Sequence, residues 1–294
     1  MKTITVYTPT FNRAHLLPRA YSALCRQTFK DFEWLIIDDG SNDDTELLIR
    51  GWMNESKIPI RYIFKQNGGL HTAYNKAIEN LKTELAVCID SDDFMPDNGV
   101  ELIVNHWKKF GNNKYAGILG YDFPIGGNVP LGGVLPDVKD LRIVDLANKY
   151  AHYGDVKMIH RTDLLKKVFP MPTYKGEKNF NPIYLFMKID KEYPLLLLRE
   201  NLCFVEYQVD GMTANIFNQY WNSPNSFAEL RRLFMTHPYV PLKYVIRQNI
   251  HYVADSLIAG KWNFVLTSPK KAFTILSVPF GVLLYFYIKF KKTT

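Results

Sequence analysis

Cysteine is scarce in this 294-residue chain and does not cluster: Cys25, Cys88 and Cys203 are odd in number and far apart. That excludes a CxxC metal site and a disulfide framework, and it suits a reducing compartment. The opening MKTITVYTPT has no long apolar run of the kind a secretion signal needs, so export is not expected. Neither GxxxxGK[ST] nor GxGxxG occurs, which disfavours ordinary ATPases and dinucleotide enzymes. Internal repeats and long low-complexity segments are absent too. Acids nearly vanish from one region. From Arg231 onward a single acid, Asp255, stands against ten Lys and Arg, a local net of +9, so residues 1–230 carry −2 of the overall +7. Nucleic-acid modules interleave such charge with base-reading or stacking side chains. Here it flanks an apolar run, which argues against a nucleic-acid partner and for an anionic membrane surface.

What is present is a core-forming chain, 47% apolar, long enough for one large α/β domain with an appendage. Ile4–Tyr7 (stopped by Pro9), Trp34–Ile37, Ile60–Phe64 and Leu85–Ile89 read as strands. Between them Leu16–Thr28, a stretch from Asp43-Asp44-Thr45 to Met53, and Thr72–Leu81 read as helices, with Asn67-Gly68-Gly69 a turn. This β-α-β-α-β-α-β order, with near-continuous apolar strands, predicts a parallel sheet covered by helices on both faces. Right-handed crossovers put the strands' C-terminal ends on one edge, where ligands of such sheets bind. Beyond Asp97 the pattern predicts helices over 99–110, 227–234 and 242–258, strands over 157–160, 195–198 and 203–207, and a loop over 126–133.

Three polar clusters fall at strand C-termini: Thr8-Pro9-Thr10-Phe11-Asn12-Arg13, Asp38-Asp39-Gly40-Ser41 and Asp90-Ser91-Asp92-Asp93. Adjacent carboxylates repel one another and add nothing to a core, so a partner rich in donors or positive charge is expected there. Asp90 and Asp92 are spaced to reach one hard cation. Mg²⁺ or Mn²⁺ takes one or two protein carboxylates and fills its shell with phosphate oxygens. A solvated turn capping a helix explains one such cluster; it does not explain three that converge.

TPTFNR, QTFKDFEWLIIDDGSNDDT, NGGLHTAYNKAI and DSDD, in this order and spacing, resemble the nucleotide-sugar domain of the GT-A glycosyltransferases of family 2, densely over residues 1–98. A looser resemblance runs through GD (154–155), HRTDLLKKVFP (160–170), GEK (176–178) and EYQVDGM (206–212), to bacterial members that build capsule, O-antigen or other surface glycans. The resemblance implies an α/β GT-A fold, Rossmann-like with a mainly parallel sheet and flanking helices. It would occupy residues 1–225, with a nucleotide-sugar half (1–98) and an acceptor half (99–225), before a C-terminal helical region (226–294). It further implies inverting transfer from a nucleotide-diphosphate sugar, a UDP-sugar first, to a glycan or lipid-linked acceptor, with Mn²⁺ or Mg²⁺ as cofactor. Phe11 would stack on the base, and the Thr8-Pro9 backbone and the Asp39 carboxylate would read its edge. Arg13, Asn67, Gly68, His71, Asp90 and Ser91 would complete the nucleotide-sugar site, and Asp92 with Asp90 would bind the metal. The general base is expected at Glu177, with Asp155 and Asp190 behind it. The second acid that relatives carry after GEK is missing, and Asn179-Phe180-Asn181-Pro182 stands in its place. Two rivals are a sugar nucleotidyltransferase, for which TPTFNR lacks the glycine-rich loop, and a non-catalytic nucleotide-sugar-binding subunit.

At the C-terminus, Lys270-Lys271 precede an uncharged apolar run over 272–288, and Lys289, Lys291 and Lys292 follow. The run is at the short limit for crossing a bilayer, is interrupted by Pro279 and Gly281, and crowds aromatics at its end. It predicts an in-plane anchor over 268–294, peripheral at the cytoplasmic face of the plasma membrane; a buried C-terminal helix is the alternative.

Overall fold

The computed structural model describes residues 2–206 and 216–292. The EYQVDGM motif therefore lies outside the described residues except for Glu206. In chain order the elements are β1 (Ile4–Thr10), α1 (Leu17–Arg26), β2 (Phe32–Asp38), α2 (Thr45–Glu55), β3 (Ile60–Phe64), α3 (Leu70–Asn80), β4 (Leu85–Cys88), α4 (Gly99–Phe110), β5 (Gly117–Pro124) and β6 (Asp140–Leu141). They continue with α5 (Ile143–Lys149), β7 (Val156–Arg161), α6 (Thr162–Val168), α7 (Ile183–Asp190), β8 (Leu195–Val205), α8 (Ile216–Asn222), α9 (Pro224–Met235), α10 (Leu242–Ile258), α11 (Phe264–Thr267) and α12 (Lys271–Lys291). The chain divides into two compact units. One comprises Met1–Gly68, Thr72–Pro170 and Glu192–Glu206; the other comprises Gly69–His71, Met171–Lys191 and Tyr207–Thr294.

The first unit holds an eight-stranded sheet in the order β3-β2-β1-β4-β7-β5-β8-β6. β1 to β4 are parallel, as their unbroken apolar runs require. β1 is buried at every position, and Tyr21, Trp34 and Trp52 stack beneath it, with Tyr21 and Trp52 ring centroids 4.3 Å apart. α1 buries Leu17, Ala20, Tyr21, Ala23 and Leu24 along one stripe. It ends where Gln27 turns extended, because the buried Gln27 amide is spent elsewhere: it donates to the Pro96 carbonyl at 2.7 Å and accepts the Val100 N–H at 2.9 Å.

Several expectations need correcting. β1 runs through Pro9 to Thr10. The Tyr7 carbonyl faces β4, where it accepts the Ile89 N–H, so the nitrogen of Pro9 points the same way; the β1–β4 pairing has ended at Tyr7–Cys88, and the missing N–H costs no ladder bond. The sheet is mixed, since β7 runs antiparallel to both β4 and β5. β5 is absent from the sequence reading because GILGYDFP, with two glycines and a proline, carries no strand signature. The strands expected over 195–198 and 203–207 are one strand, β8. Its register against β5 jumps after Leu198, where Arg199 and Glu200 are exposed, and that break imitates a strand end.

The second unit is helical. Ala228, Met235, Val245, Tyr252, Val253 and Phe264 form its core. Its interior holds Arg231 beside Asp255, 3.5 Å apart, and His237 Nε2 3.3 Å from Asp190 Oδ2. Asp190, a lesser candidate for the base, is thus fully buried against a histidine.

Candidate functional site

The first two strand-end clusters of the first unit are bound to one another. Asn12, at φ +53°, donates its N–H to Ser41 Oγ at 2.8 Å, and its Oδ1 accepts the Asn42 N–H at 2.9 Å. The Ala14 N–H donates to Asp43 Oδ2 at 3.1 Å. These bonds leave Phe11 on the surface, 46% exposed. The Thr8 side chain points inward and accepts the Trp34 indole N–H at 2.9 Å, and Thr8 and Pro9 are both buried within β1. Gly40 sits at φ +86°, and a Cβ there would lie 2.7 Å from the Asn67 nitrogen. The approach of the second cluster to the Asn67-Gly68 turn therefore requires glycine.

The paired acids Asp38 and Asp39 divide their work. Asp38 is fully buried and structural: it accepts the Ser41 N–H and the Tyr62 hydroxyl, each at 2.7 Å. Asp39 is buried too, inside a nest of donors. The Lys65 ammonium pairs with its Oδ1, the Gly68 N–H reaches the same oxygen at 3.0 Å, and Asn67 Nδ2 reaches Oδ2 at 3.3 Å and the Asp39 carbonyl at 2.8 Å. Lys65 also donates to Thr72 Oγ1 at 2.8 Å. Lys65 is absent from the sequence reading, although its position directly after β3 is the same strand-end signal that marks the other clusters.

In the third cluster Asp90 is exposed, Asp92 half-buried, and Ser91 and Asp93 buried. Arg19 donates to the Asp92 carbonyl and pairs with Glu206 at 2.7 Å. Burial and then the neighbouring Asp90 push the Asp92 carboxyl up, against the pull of Arg13 and Arg19. Arg13 is thereby within electrostatic reach of the third cluster as well as hydrogen-bonded, through its N–H, to Thr45 at 3.3 Å. Among the described residues no group of three or more His, Cys, Asp or Glu is set to hold a metal. Asp90 and Asp92 supply two hard oxygen donors on a solvent-facing turn, and that set fits a Mg²⁺ or Mn²⁺ ion that takes its remaining ligands from a diphosphate and water.

Behind this turn lies a buried lysine that sequence reasoning missed. Lys157 on β7 is buried, with its ammonium 3.7 Å from buried Asp122 on β5. Burial alone would lower the Lys157 pKa; Asp122, Cys203, Asp93 and Asp90 outweigh it and raise it. Burial pushes Asp93 up to about 8 and Asp122 up to about 6. Asp155 and Asp90 both raise Asp122 further. Tyr121 pairs with Val156, so Asp155 precedes β7 at the edge where β4 gives way to the Asp90 turn, and it is exposed there.

In the second unit, His71 is buried, its ring centroid 6.3 Å from that of Phe180. Glu177 is buried as well. Its carboxylate accepts the Asn225 N–H at 2.9 Å, Asn225 Nδ2 at 2.7 Å, the Ser226 N–H at 2.8 Å and the Ser226 hydroxyl at 2.6 Å. Asn225 and Ser226 open α9, and Ser223, the residue before it, makes no side-chain cap. Glu177 is the anion that caps this helix.

Residues 5–133 match a family model described as Glycosyl transferase family 2. Over 124 residues the chain is 31% identical to poly(ribitol-phosphate) beta-N-acetylglucosaminyltransferase TarP of Staphylococcus aureus, covering 42% of this chain and 38% of the relative. Over 107 residues it is 32% identical to the chondroitin synthase of Escherichia coli, covering 36% of this chain and 15% of that protein. The chain thus spans little more than a third of the length of the first curated relatives it matches. In fold it is similar to S. aureus TarS in complex with UDP-GlcNAc, with TM-score 0.62, 16% identity, and 94% of this chain and 79% of that one covered. It is also similar to the mannosyltransferase PcManGT of Pyrobaculum calidifontis in complex with GDP-Man and Mn²⁺, with TM-score 0.57, 16% identity, and 97% and 87% covered. Residues 5–133 thus carry the match to glycosyl transferase family 2, and the fold of the chain is that of the GT-A glycosyltransferases.

Proposed function

We propose that the chain transfers a sugar from a nucleotide-diphosphate donor, a UDP-sugar, to a hydroxyl of a glycan or lipid-linked acceptor in surface-polysaccharide synthesis, with inversion and with Mn²⁺ or Mg²⁺ at Asp90 and Asp92. The observation that carries the reading is one sheet edge bearing the exposed ring of Phe11, the donor nest around Asp39, and two carboxylates under the influence of Arg13 and Arg19. The relatives support the class of donor, since TarS binds UDP-GlcNAc and PcManGT binds GDP-Man with Mn²⁺.

In this reading Phe11 stacks on the base, and the Thr8-Pro9 backbone and Asp39 read its edge. Asn67 and Gly68 shape the pocket by holding Asp39. Arg13 and Ser91 face the diphosphate, and His71 packs the start of α3 from within. When bound, the ion offsets charge on the departing diphosphate. The acceptor hydroxyl must lose a proton to a carboxylate. Both oxygens of Glu177 are engaged by four donors, and a proton there would face an N–H or O–H already in place. We therefore assign the proton to Asp155, exposed beside the acidic turn, and keep Glu177 as a positioning residue for α9. The basic, apolar C-terminal region supports action at the cytoplasmic face of a membrane.

The test is calorimetric titration with UDP-, GDP- and CDP-sugars in Mn²⁺, Mg²⁺ or EDTA, followed by assay for slow donor hydrolysis. UDP-sugar binding that requires the ion is expected, with hydrolysis in the absence of acceptor. If no nucleotide sugar binds under any condition, the reading is lost. Binding without hydrolysis or transfer would favour a non-catalytic subunit.

A further inference from the structure

Helix α12 reverses the usual amphipathic rule. The side it buries is small and largely polar: Thr274, Ser277 and Gly281, followed by Ile288. Thr274 Oγ1 donates to the buried Asn249 Oδ1 on α10 at 2.6 Å. A Cβ at Gly281 would lie 2.5 Å from that of Val253 on α10, so the two backbones meet closely there. The side it leaves open is apolar: Leu276 is 71% exposed, Leu283 68%, Phe290 67% and Phe280 60%, with Ile275 and Phe286 beside them. A helix folded for water alone turns such residues inward, and a contiguous apolar stripe of this length marks a surface that something covers.

Charge identifies the cover. Lys270 and Lys271 stand at one end of the helix and Lys289, Lys291 and Lys292 at the other, with no acid anywhere in residues 256–294. Anionic headgroups complement both ends, and acyl chains complement the stripe between them. The helix is long and apolar enough to cross a membrane by length and composition. Crossing, however, would strip it from α10, leaving the Thr274 hydroxyl in hydrocarbon without its acceptor and the buried Asn249 of α10 without its donor. We propose that α12 lies in the plane of one leaflet, its outer stripe at the headgroup–acyl boundary of an anionic bilayer and its inner stripe still on α10. This deepens the membrane reading above and involves no part of the donor site.

The experiment is flotation of the full-length protein with phosphatidylcholine vesicles, with and without phosphatidylglycerol, at low and high salt. It is run beside a Leu276→Glu/Leu283→Glu variant whose substitutions, both on exposed positions, leave the fold alone. Wild type should float with the anionic vesicles and only partly come off in high salt, since the apolar contact resists screening. The variant should bind at least about tenfold more weakly, with unchanged melting temperature. On bound wild type, a membrane-impermeant amine reagent should label Lys270-Lys271 and Lys289-Lys291-Lys292 alike. The proposal is overturned if the variant floats like wild type, if wild type floats with neither vesicle, or if the second lysine cluster alone is protected, which means a span. A dimer that the variant dissociates, with no flotation, would assign the stripe to a second copy and also overturn it. These readouts use no nucleotide, so failure of the transferase reading would leave them unchanged.

Discussion

On the Asp90 turn Asp90 is exposed and Asp92 half-buried, while Lys157 and Asp122 are shut inside the sheet. On α12 the hydroxyls of Thr274 and Ser277 are shut inside while Leu276 and Leu283 face outward. The burial of Lys157 and Asp122 in the one, and the exposure of Leu276 and Leu283 in the other, run against the rule that water takes the polar groups and the core the apolar ones. Their physical grounds differ. Behind the turn the buried Lys157 ammonium balances the acids around it, Asp122 at 3.7 Å foremost. The helix uses its small residues for a close approach to α10, and its large apolar residues are left exposed.

The comparison is broken most severely at the turn. Asp92→Asn removes an anionic oxygen that a hard cation prefers, so metal-dependent turnover should fall by more than about a thousandfold, through loss of several kcal/mol of transition-state stabilisation, while circular dichroism is unchanged. Full turnover that still requires metal would defeat the assignment of Asp92. Next in size is Asp155→Asn, expected to lower kcat by at least about a hundredfold, the share of a general base, with donor affinity intact. Glu177→Gln sharpens that contrast. It should cost about 1–3 kcal/mol of unfolding free energy in urea, because an amide sets an N–H against the donors of Asn225 and Ser226. A large kcat loss in Glu177→Gln with no loss of stability would return the proton to Glu177.

A smaller effect is expected at Asp39. Asp39→Ala should weaken UDP binding by about 1.5–3 kcal/mol, and it should weaken a cytidine analogue less, since only uracil has an imide N–H to donate. Equal losses would mean that Asp39 only organises Lys65 and the Asn67-Gly68 turn.

The smallest effect concerns pH. Asp93 titrates at about 8 in the folded chain and Asp255 at about 7, whereas both ionise near 4 when unfolded. Between pH 6.5 and 8 the native state therefore holds protons that the unfolded state has lost, and stability falls as pH rises, by up to about 1.4 kcal/mol per pH unit for each group. The buried histidines His160 and His251, lowered to about 3, act only below their unfolded value near 6.5 and do not enter this window. Asp93→Asn should flatten the fall in urea midpoint across it. An unchanged slope would show that Asp93 does not hold its proton there.

The sequence alone determined what is local. Four strands of the parallel half, the helices between them, and the three polar clusters follow from an apolar run, a crossover and a stop, because a residue at the end of a buried parallel strand has only the sheet edge to occupy. The placement of Phe11, Asp39, Asp90 and Asp92 just beyond the ends of β1, β2 and β4 is legible on that ground. Only the tertiary structure decided the roles that depend on distant partners. β5, interrupted by glycine and proline, is a strand because β7 and β8 flank it. Lys157 is a buried countercharge because Asp122, 35 positions away in sequence, faces it across the sheet. Glu177 is a cap because α9 begins beside it. The polarity of α12 is settled by α10, since a helix with apolar residues on nearly every side does not say which face turns inward until a partner surface, here Asn249 and Val253, accepts one of them.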